Sequence, residues 1–430
     1  MVHLRGCDRS VGLLAAITPD LTALRRSRDY RIIEIGAIVA GLGTQAALVA
    51  VPYQVYVQTR STALVGLIGA AELGPMIVVS LFGGAIADRV DRRRILLVAQ
   101  AGTVACAGTL AVLAFAGHPP VWVIFILAAL LAGSGSLDSL SRSSMIAGLA
   151  GDWLRSAIAF NFGMNQVTAI VGPGLGGIVI GATGVGWVYA VDAASVVVTI
   201  FAALTIAPQR PHGAPHGESI VGSVAGGLRY VRSNRALLGS FVIDLFAMTF
   251  GMPRALFVVM SLQLFHAGAA GTGLLYAAVS AGATIAALAN GWLTHARRLG
   301  RITIAMVLIW GAAIAAAGLA PSIAIAALLL AVAGAADSIS AVCRTTIAQL
   351  VTPEAMRGRM MSVFGLVVTG GVRLGDIESG SVAAITSPRF AIVSGGLACV
   401  ASVGVVLVAF PALARFDALD GGAVAAPAPA

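Results

Sequence analysis

Long apolar runs separated by short polar breaks fill the chain from residue 31 to residue 411. Twelve can be marked, at 31–55, 64–86, 94–116, 121–142, 156–181, 185–207, 237–262, 270–293, 302–320, 322–345, 360–386 and 390–411. Each is close to or above the ~20 residues that a helix needs to cross a bilayer. The runs are continuous and do not alternate in short ten-residue segments, so helices are expected and a β-barrel is not. Most are rich in Gly and Ala, which lets helices approach closely in lipid. The pattern predicts an all-α integral membrane protein of twelve transmembrane helices.

Composition agrees with this. Hydrophobic residues make up 58% and charged residues 10% of the chain, with a mean hydropathy of +0.95. A soluble globule usually carries about 25% charged residues. All 27 basic residues are arginine. They gather before the first run, in the 2–3 loop, in the central loop and in the 8–9 and 10–11 loops, whereas the opposite side keeps only Arg60 and Arg389. The positive-inside rule therefore puts both termini and the central loop in the cytoplasm. The net charge of +9 lies where topology would place it, so the expected partners are the lipid bilayer and a small-molecule cargo, with no nucleic acid and a functional monomer.

The chain repeats itself. A shift of 207 residues sets Gly66-Leu67 on Gly273-Leu274, Ala70-Ala71 on Ala277-Ala278 and Gly84 on Gly291; a shift of 199 sets Gly135–Ser141 (GSLDSLS) on Gly334–Ser340 (GAADSIS). Chance similarity between Gly- and Ala-rich segments is the alternative. Two echoes in the same order favour two pseudo-symmetric six-helix halves. The expected organisation is a cytoplasmic N-terminal segment 1–30, a first half 31–207, a central cytoplasmic loop 208–236, a second half 237–411 and a disordered tail 412–430. The lead shows no cleavable signal, because Asp20 interrupts its apolar patch and arginines follow it.

Ionisable residues inside apolar spans are costly, at least ~2.5 kcal/mol each unless paired or facing water, and so mark function. Glu72 lies a third of the way into span 2 with no basic residue on its own helix, which makes it a candidate proton carrier. Arg254 follows Pro253 at an expected kink, where freed carbonyls can solvate it. In span 11, Arg373 and Asp376 are three apart and share a face, while Glu378 lies about 200° round from Asp376 and must look to Arg254 or into a cavity. These five are the proton and substrate pathway candidates. Asp192 and Asp244 are further deep acids, and Glu34 sits near the start of span 1, at the expected interface. Asp138 with Arg142, and Asp337 with Arg344, fall on common helix faces and are ion-pair candidates.

Two motifs stand out. Gly84–Leu96, GAIADRVDRRRIL, places Gly84, Asp88, Arg89, Arg92 and Arg93 on the loop after span 2; its second copy from Gly291 keeps arginines but has His295 in place of the acid. In span 5, Gly172, Pro173, Gly176 and Gly177 break and thin the helix within its apolar run, with simple small-residue packing as the competing explanation. The loop motif resembles the signature of the major facilitator superfamily, although Asp91 stands where glycine is usual. The span-5 motif resembles that of the superfamily's drug:proton antiporters. Together with VPYQVYVQTRSTALVGL, GVGWVYAVDAAS and TPEAMRGRM, the chain from about 28 to 411 is similar to the enterobactin-exporter branch.

The resemblance implies secondary active export across the bacterial plasma membrane by alternating access, with a proton gradient as energy source, no cofactor, and drugs, siderophores or related amphiphiles as cargo. Proton-coupled uptake of a metabolite would use the same architecture. A transport-inactive sensor or a membrane enzyme is the outlying alternative. No HExxH or similar motif occurs among the histidines, and with no lysine the chain has no Walker lysine. Four scattered cysteines show neither metal spacing nor a disulfide framework.

Overall fold

The computed structural model describes residues 21–87, 90–117, 119–209 and 220–418. Asp88 and Arg89 of the loop motif, Cys7, His212 and His216 lie outside the described residues. Among those described, every regular element is helical. The chain runs through α1 (Thr22–Arg26), α2 (Arg28–Thr59), α3 (Thr62–Ala87), α4 (Arg92–Ala116), α5 (Val121–Ala150), α6 (Leu154–Thr183), α7 (Val185–Leu204) and α8 (Ile220–Ser233). It continues through α9 (Arg235–Phe250), α10 (Gly268–Ala289), α11 (Leu299–Gly318), α12 (Ile323–Val351), α13 (Glu354–Ile385), α14 (Pro388–Ala409) and α15 (Pro411–Arg415).

Among the described residues, ten helical segments are long and apolar enough to cross a membrane. One of them, Val121–Thr183, contains both α5 and α6. α13 is not among the ten; Arg373, Asp376 and Glu378 interrupt its apolar run.

Packing sorts the helices into two groups, α2 to α7 and α9 to α14, that meet chiefly where α3 crosses α13 and α6 crosses α10. Interhelical packing in lipid depends on close contact more than on expelling water, so small residues decide where helices can cross. At the first crossing, a methyl group on Gly66 would lie 2.5 Å from the Asp376 carbonyl oxygen, and one on Gly380 2.7 Å from that of Thr62. At the second, one on Gly177 would lie 2.6 Å from the Ala269 carbonyl oxygen, and Gly273 meets the carbonyl of Pro173. The 207-residue shift that relates Gly66 to Gly273 thus relates the two crossings.

Two expectations are corrected. Span 7, read as one kinked helix over 237–262, is interrupted: α9 stops at Phe250, Gly251–Pro253 is non-helical, and the chain resumes through a 3₁₀ turn at Arg254–Leu256 and an α turn at Phe257–Val259 into a π-helix at Met260–Leu264. The buried Trp310 indole holds the break by donating to the Gly251 carbonyl at 2.7 Å. The lead before span 1 is tied down as far back as residue 23, because Ala23 N–H donates to Ser156 Oγ at 3.3 Å and Ser27 Oγ to the Leu149 carbonyl at 2.9 Å.

The tail assigned to disorder from 412 is ordered to 418, with Leu413 fully buried and α15 packed on α9 and α11. Leu413→Ala is expected to cost about 2–5 kcal/mol, as for other buried leucines, seen as a lower Tm in detergent. An unchanged Tm would remove the tail from the fold.

Candidate functional site

A central cavity of about 1170 Å³ lies between the two groups. The first group supplies most of its wall; the second contributes Arg254, Ala255, Tyr276, Thr369, Arg373 and Asp376. The lining runs from Pro52 and Val65, beside the α3–α13 crossing, to Ser143, Ile146 and Ile158 near the end of the bundle that holds the termini.

At the crossing the wall is charged. Arg373 Nη1 lies 2.6 Å from Glu72 Oε2 and 3.5 Å from Asp376 Oδ2. Asp376 is only half committed to that arginine, because its other oxygen accepts the backbone N–H of Ala255 at 3.0 Å. The break at Gly251–Pro253 leaves the first N–H groups of the returning chain without helical partners, and a carboxylate answers that need as an N-cap does. Tyr276 completes the corner by donating its hydroxyl to the Arg254 carbonyl at 3.0 Å. The Arg254 guanidinium itself faces the cavity with no hydrogen bond or ion pair among the described residues.

Four of the five pathway candidates therefore share one corner, where the expected Arg373–Asp376 pair is present and a partner from another helix is added. Arg373 was placed with Asp376 on its own helix, and its nearer partner is Glu72 on α3. Glu378 meets neither expectation: it is half-buried, does not line the cavity and makes no ion pair or hydrogen bond among the described residues.

The opposite wall is polar as well. Arg142 binds Asp138 through two contacts, at 3.0 and 3.1 Å, and Gln100 Nε2 donates to the same carboxylate at 3.3 Å. Thr44 donates to Asp192 at 3.0 Å. Glu34 does not lie at an interface as expected; it is 1% exposed, and Asn161 Nδ2 donates to both its oxygens, at 3.2 and 3.1 Å. Asn161, Asn165 and Gln100 went unremarked in the sequence, where the signal was an amide inside an apolar run at one-turn spacing.

Asp337 and Arg344 approach to 3.4 Å, and Asp244 joins them on Arg344 at 2.9 Å. This trio stands apart from the residues that line the cavity.

The span-5 motif is a contact surface on two sides. Methyl groups on Gly172 and Gly176 would lie 2.5 Å from Gln45 Cβ and 2.8 Å from Ala46 Cα on α2, while Pro173 and Gly177 meet Gly273. In the loop motif, Gly84 lies in the last turn of α3. Asp91, standing where glycine is usual, caps α4 by accepting from Arg93 N–H at 2.9 Å, and it also accepts from Gln209 N–H at 3.0 Å. Arg92 donates to the Ser144 carbonyl at 3.0 Å; Arg93 donates to the carbonyls of Ala203 and Leu204, at 3.0 and 2.6 Å, where a helix C-terminus favours a cation. In the second copy, Arg301 donates to the Ala414 carbonyl at 3.4 Å, and His295 is exposed with Thr294 as its partner.

Among the described residues no cluster of His, Cys, Asp and Glu could hold a metal ion, and Cys106, Cys343 and Cys399 are free and buried.

A family model described as transmembrane secretion effector matches residues 20–429. The chain is 28% identical over 374 residues to the enterobactin exporter EntS of Citrobacter koseri, covering 86% of this chain and 88% of that protein. It is equally identical, over the same span and shares of each chain, to EntS of Shigella boydii. Among solved structures, a mutant of the nucleoside transporter NupG aligns with a TM-score of 0.73 at 12% identity, over 89% of this chain and 100% of that one. A D-xylose-proton symporter aligns at 0.68 and 16% identity, over 87% of this chain and 97% of that one. At such identities these two structures speak for the fold alone.

Proposed function

The chain belongs to the transmembrane secretion effector family of the major facilitator superfamily and is a multi-pass membrane transporter, not an enzyme; from that premise we propose that it exports small amphiphilic molecules, siderophores or drugs among them, by proton antiport. The observation that carries this reading is the corner of the cavity where Glu72, Arg373 and Asp376 meet Arg254, which makes no ion pair among the described residues. Drug-sized ligands occupy pockets of ~300–1,000 Å³, so a cavity of about 1170 Å³ can hold such a cargo.

Antiport requires that proton and cargo exclude one another at the site. A cargo presenting hydroxyl or ammonium donors binds the Glu72 carboxylate only while it is ionised. A proton on Glu72 removes its charge and turns one of its oxygens into a donor, which weakens that binding. Arg254 complements it by receiving the cargo's oxygen acceptors or an anionic group. Catechol and hydroxamate groups, the usual iron-binding ends of siderophores, offer both donors and acceptors, which fits the siderophore named for the EntS relatives. The bacterial plasma membrane is the proposed location, with both termini cytoplasmic by the arginine distribution. The lining then reaches toward the cytoplasmic end, where an exporter loads its cargo.

Inside-out vesicles carrying the protein should accumulate enterobactin or a fluorescent amphiphilic dye when energised, and a protonophore should collapse the accumulation. Accumulation that survives the protonophore would remove the proton from the mechanism.

A further inference from the structure

The second helix group contains a charge cluster outside the cavity that the mechanism above leaves unused. Asp244 on α9 and Arg344 on α12 have side chains that are 0% exposed, and Asp337, two turns before Arg344, is 21% exposed. One guanidinium serves both carboxylates, with Nη2 2.9 Å from Asp244 Oδ1 and 3.4 Å from Asp337 Oδ1, and Nη1 donating to Ser340 Oγ at 3.0 Å. Neither oxygen of Asp244 accepts a hydrogen bond. Among the described residues, no charged group on the helices packed against α9, other than Arg344 and Asp337, acts on Asp244. Arg254 acts on Asp337; Cys343 and Cys399 lie within electrostatic reach of Arg344.

The first group holds the same parts in a different condition. An acid on its first helix, Glu34, and an acid and arginine on its fourth, Asp138 and Arg142, stand on the helices equivalent to those of Asp244, Asp337 and Arg344, with Asp138 and Asp337 in the register of the repeat. There each carboxylate has an amide to itself, Asn161 for Glu34 and Gln100 for Asp138, and Arg142 grips Asp138 with two nitrogens. In that set every carboxylate oxygen accepts a hydrogen bond. In the second group no amide is supplied: both oxygens of the buried Asp244 lack a hydrogen bond, and its one ion-pair partner among the described residues, Arg344, is shared with Asp337, so a proton on the acid pair relieves an unsatisfied carboxylate.

We infer that Asp244 and Asp337, bridged by Arg344, form a proton-binding site of the second helix group, separate from the cargo cavity and loaded through the partly exposed Asp337. The site sits on the helix that ends at the Gly251–Pro253 break, seven residues before the break begins. Proton occupancy changes the pull of Asp244 on Arg344 and hence the docking of α9 on α12. Through the break it reaches Arg254 and the Ala255 N–H that Asp376 caps.

This inference rests on the proton-coupled reading above, and its test is independent of cargo. In difference infrared spectra of the purified protein between acid and neutral pH, wild type should show the carbonyl stretch of buried protonated carboxylic acids. Asp244→Asn should lose intensity in that band, and so should Asp337→Asn, which serves if the first variant does not fold. Each variant leaves Arg344 one carboxylate, so the folded bundle is expected to persist. In vesicles each should also keep cargo exchange at equal pH and lose uphill transport driven by a pH gradient. An unchanged band in both variants, or undiminished gradient-driven transport, overturns the site. Should the band fall as expected while wild-type transport survives a protonophore, the antiport reading fails and the proton-binding site stands.

Discussion

Arg373→Gln is expected to stop transport, lowering the initial rate on the order of 100-fold, while the protein still inserts in the membrane. Among the described residues, Arg373 is the only cation within ion-pair distance of Glu72 and Asp376, at 2.6 and 3.5 Å. Its removal leaves two largely buried carboxylates without an ion-pair partner where α3 crosses α13. Breaking a buried pair by deleting one partner costs about 3–5 kcal/mol. The low end applies because the Arg373 and Glu72 side chains remain 20% and 12% exposed, and ~3 kcal/mol corresponds to the stated factor.

The penalty comes from the stranded acids and not from the lost arginine as such. Combining Arg373→Gln with Glu72→Gln should therefore restore thermal stability without restoring gradient-driven transport. Melting in detergent checks the first half of that expectation and vesicle uptake the second. A double variant no more stable than the single one would mean that the pair does not hold the crossing.

Gly273→Leu is expected to trap the transporter with the α6–α10 crossing apart. Gly273 lies against the Pro173 carbonyl and Gly177, so any side chain must push α10 away from backbone, which cannot swing aside as a flexible side chain can. Overpacking of this kind costs about 1–3 kcal/mol. If the penalty falls only on the state in which the helices touch, it shifts the two-state equilibrium about 5- to 150-fold toward the separated state. Distances between spin labels on α6 and α10 should lengthen, and Gly380→Leu should do the same for labels on α3 and α13. Distance distributions identical to wild type would mean that these crossings are static packing and not a gate.

The helices were legible because an apolar run of the right length has few alternatives. The break at Pro253 was legible as a position but not as a full interruption, because its depth depends on Trp310 and Asp376, which arrive from other helices. Spacing along one helix gave Asp138 with Arg142 and Asp337 with Arg344. It could not give Glu72 with Arg373 or Asp244 with Arg344, since a partner across a helix interface leaves no periodic trace. Glu34 was misjudged for the same reason: position near a span end suggested exposure, and Asn161 supplies the bonds that allow burial. The tail misled through composition, because its small residues hide Leu413 and Phe416, both buried, in a segment packed on α9 and α11. The glycines of span 5 were visible as a motif, but Gly273, their partner, appeared only as one term of a repeat.

The central claim is that proton and cargo exclude each other and so move in opposite directions. It is tested most directly by loading proteoliposomes with a pH-sensitive dye and following internal pH while enterobactin flows down its gradient through the protein with no pH gradient imposed. Cargo leaving the lumen should be accompanied by acidification inside, and Glu72→Gln should diminish that signal. Alkalinisation inside as cargo leaves, or cargo movement with no change in pH, would contradict the account.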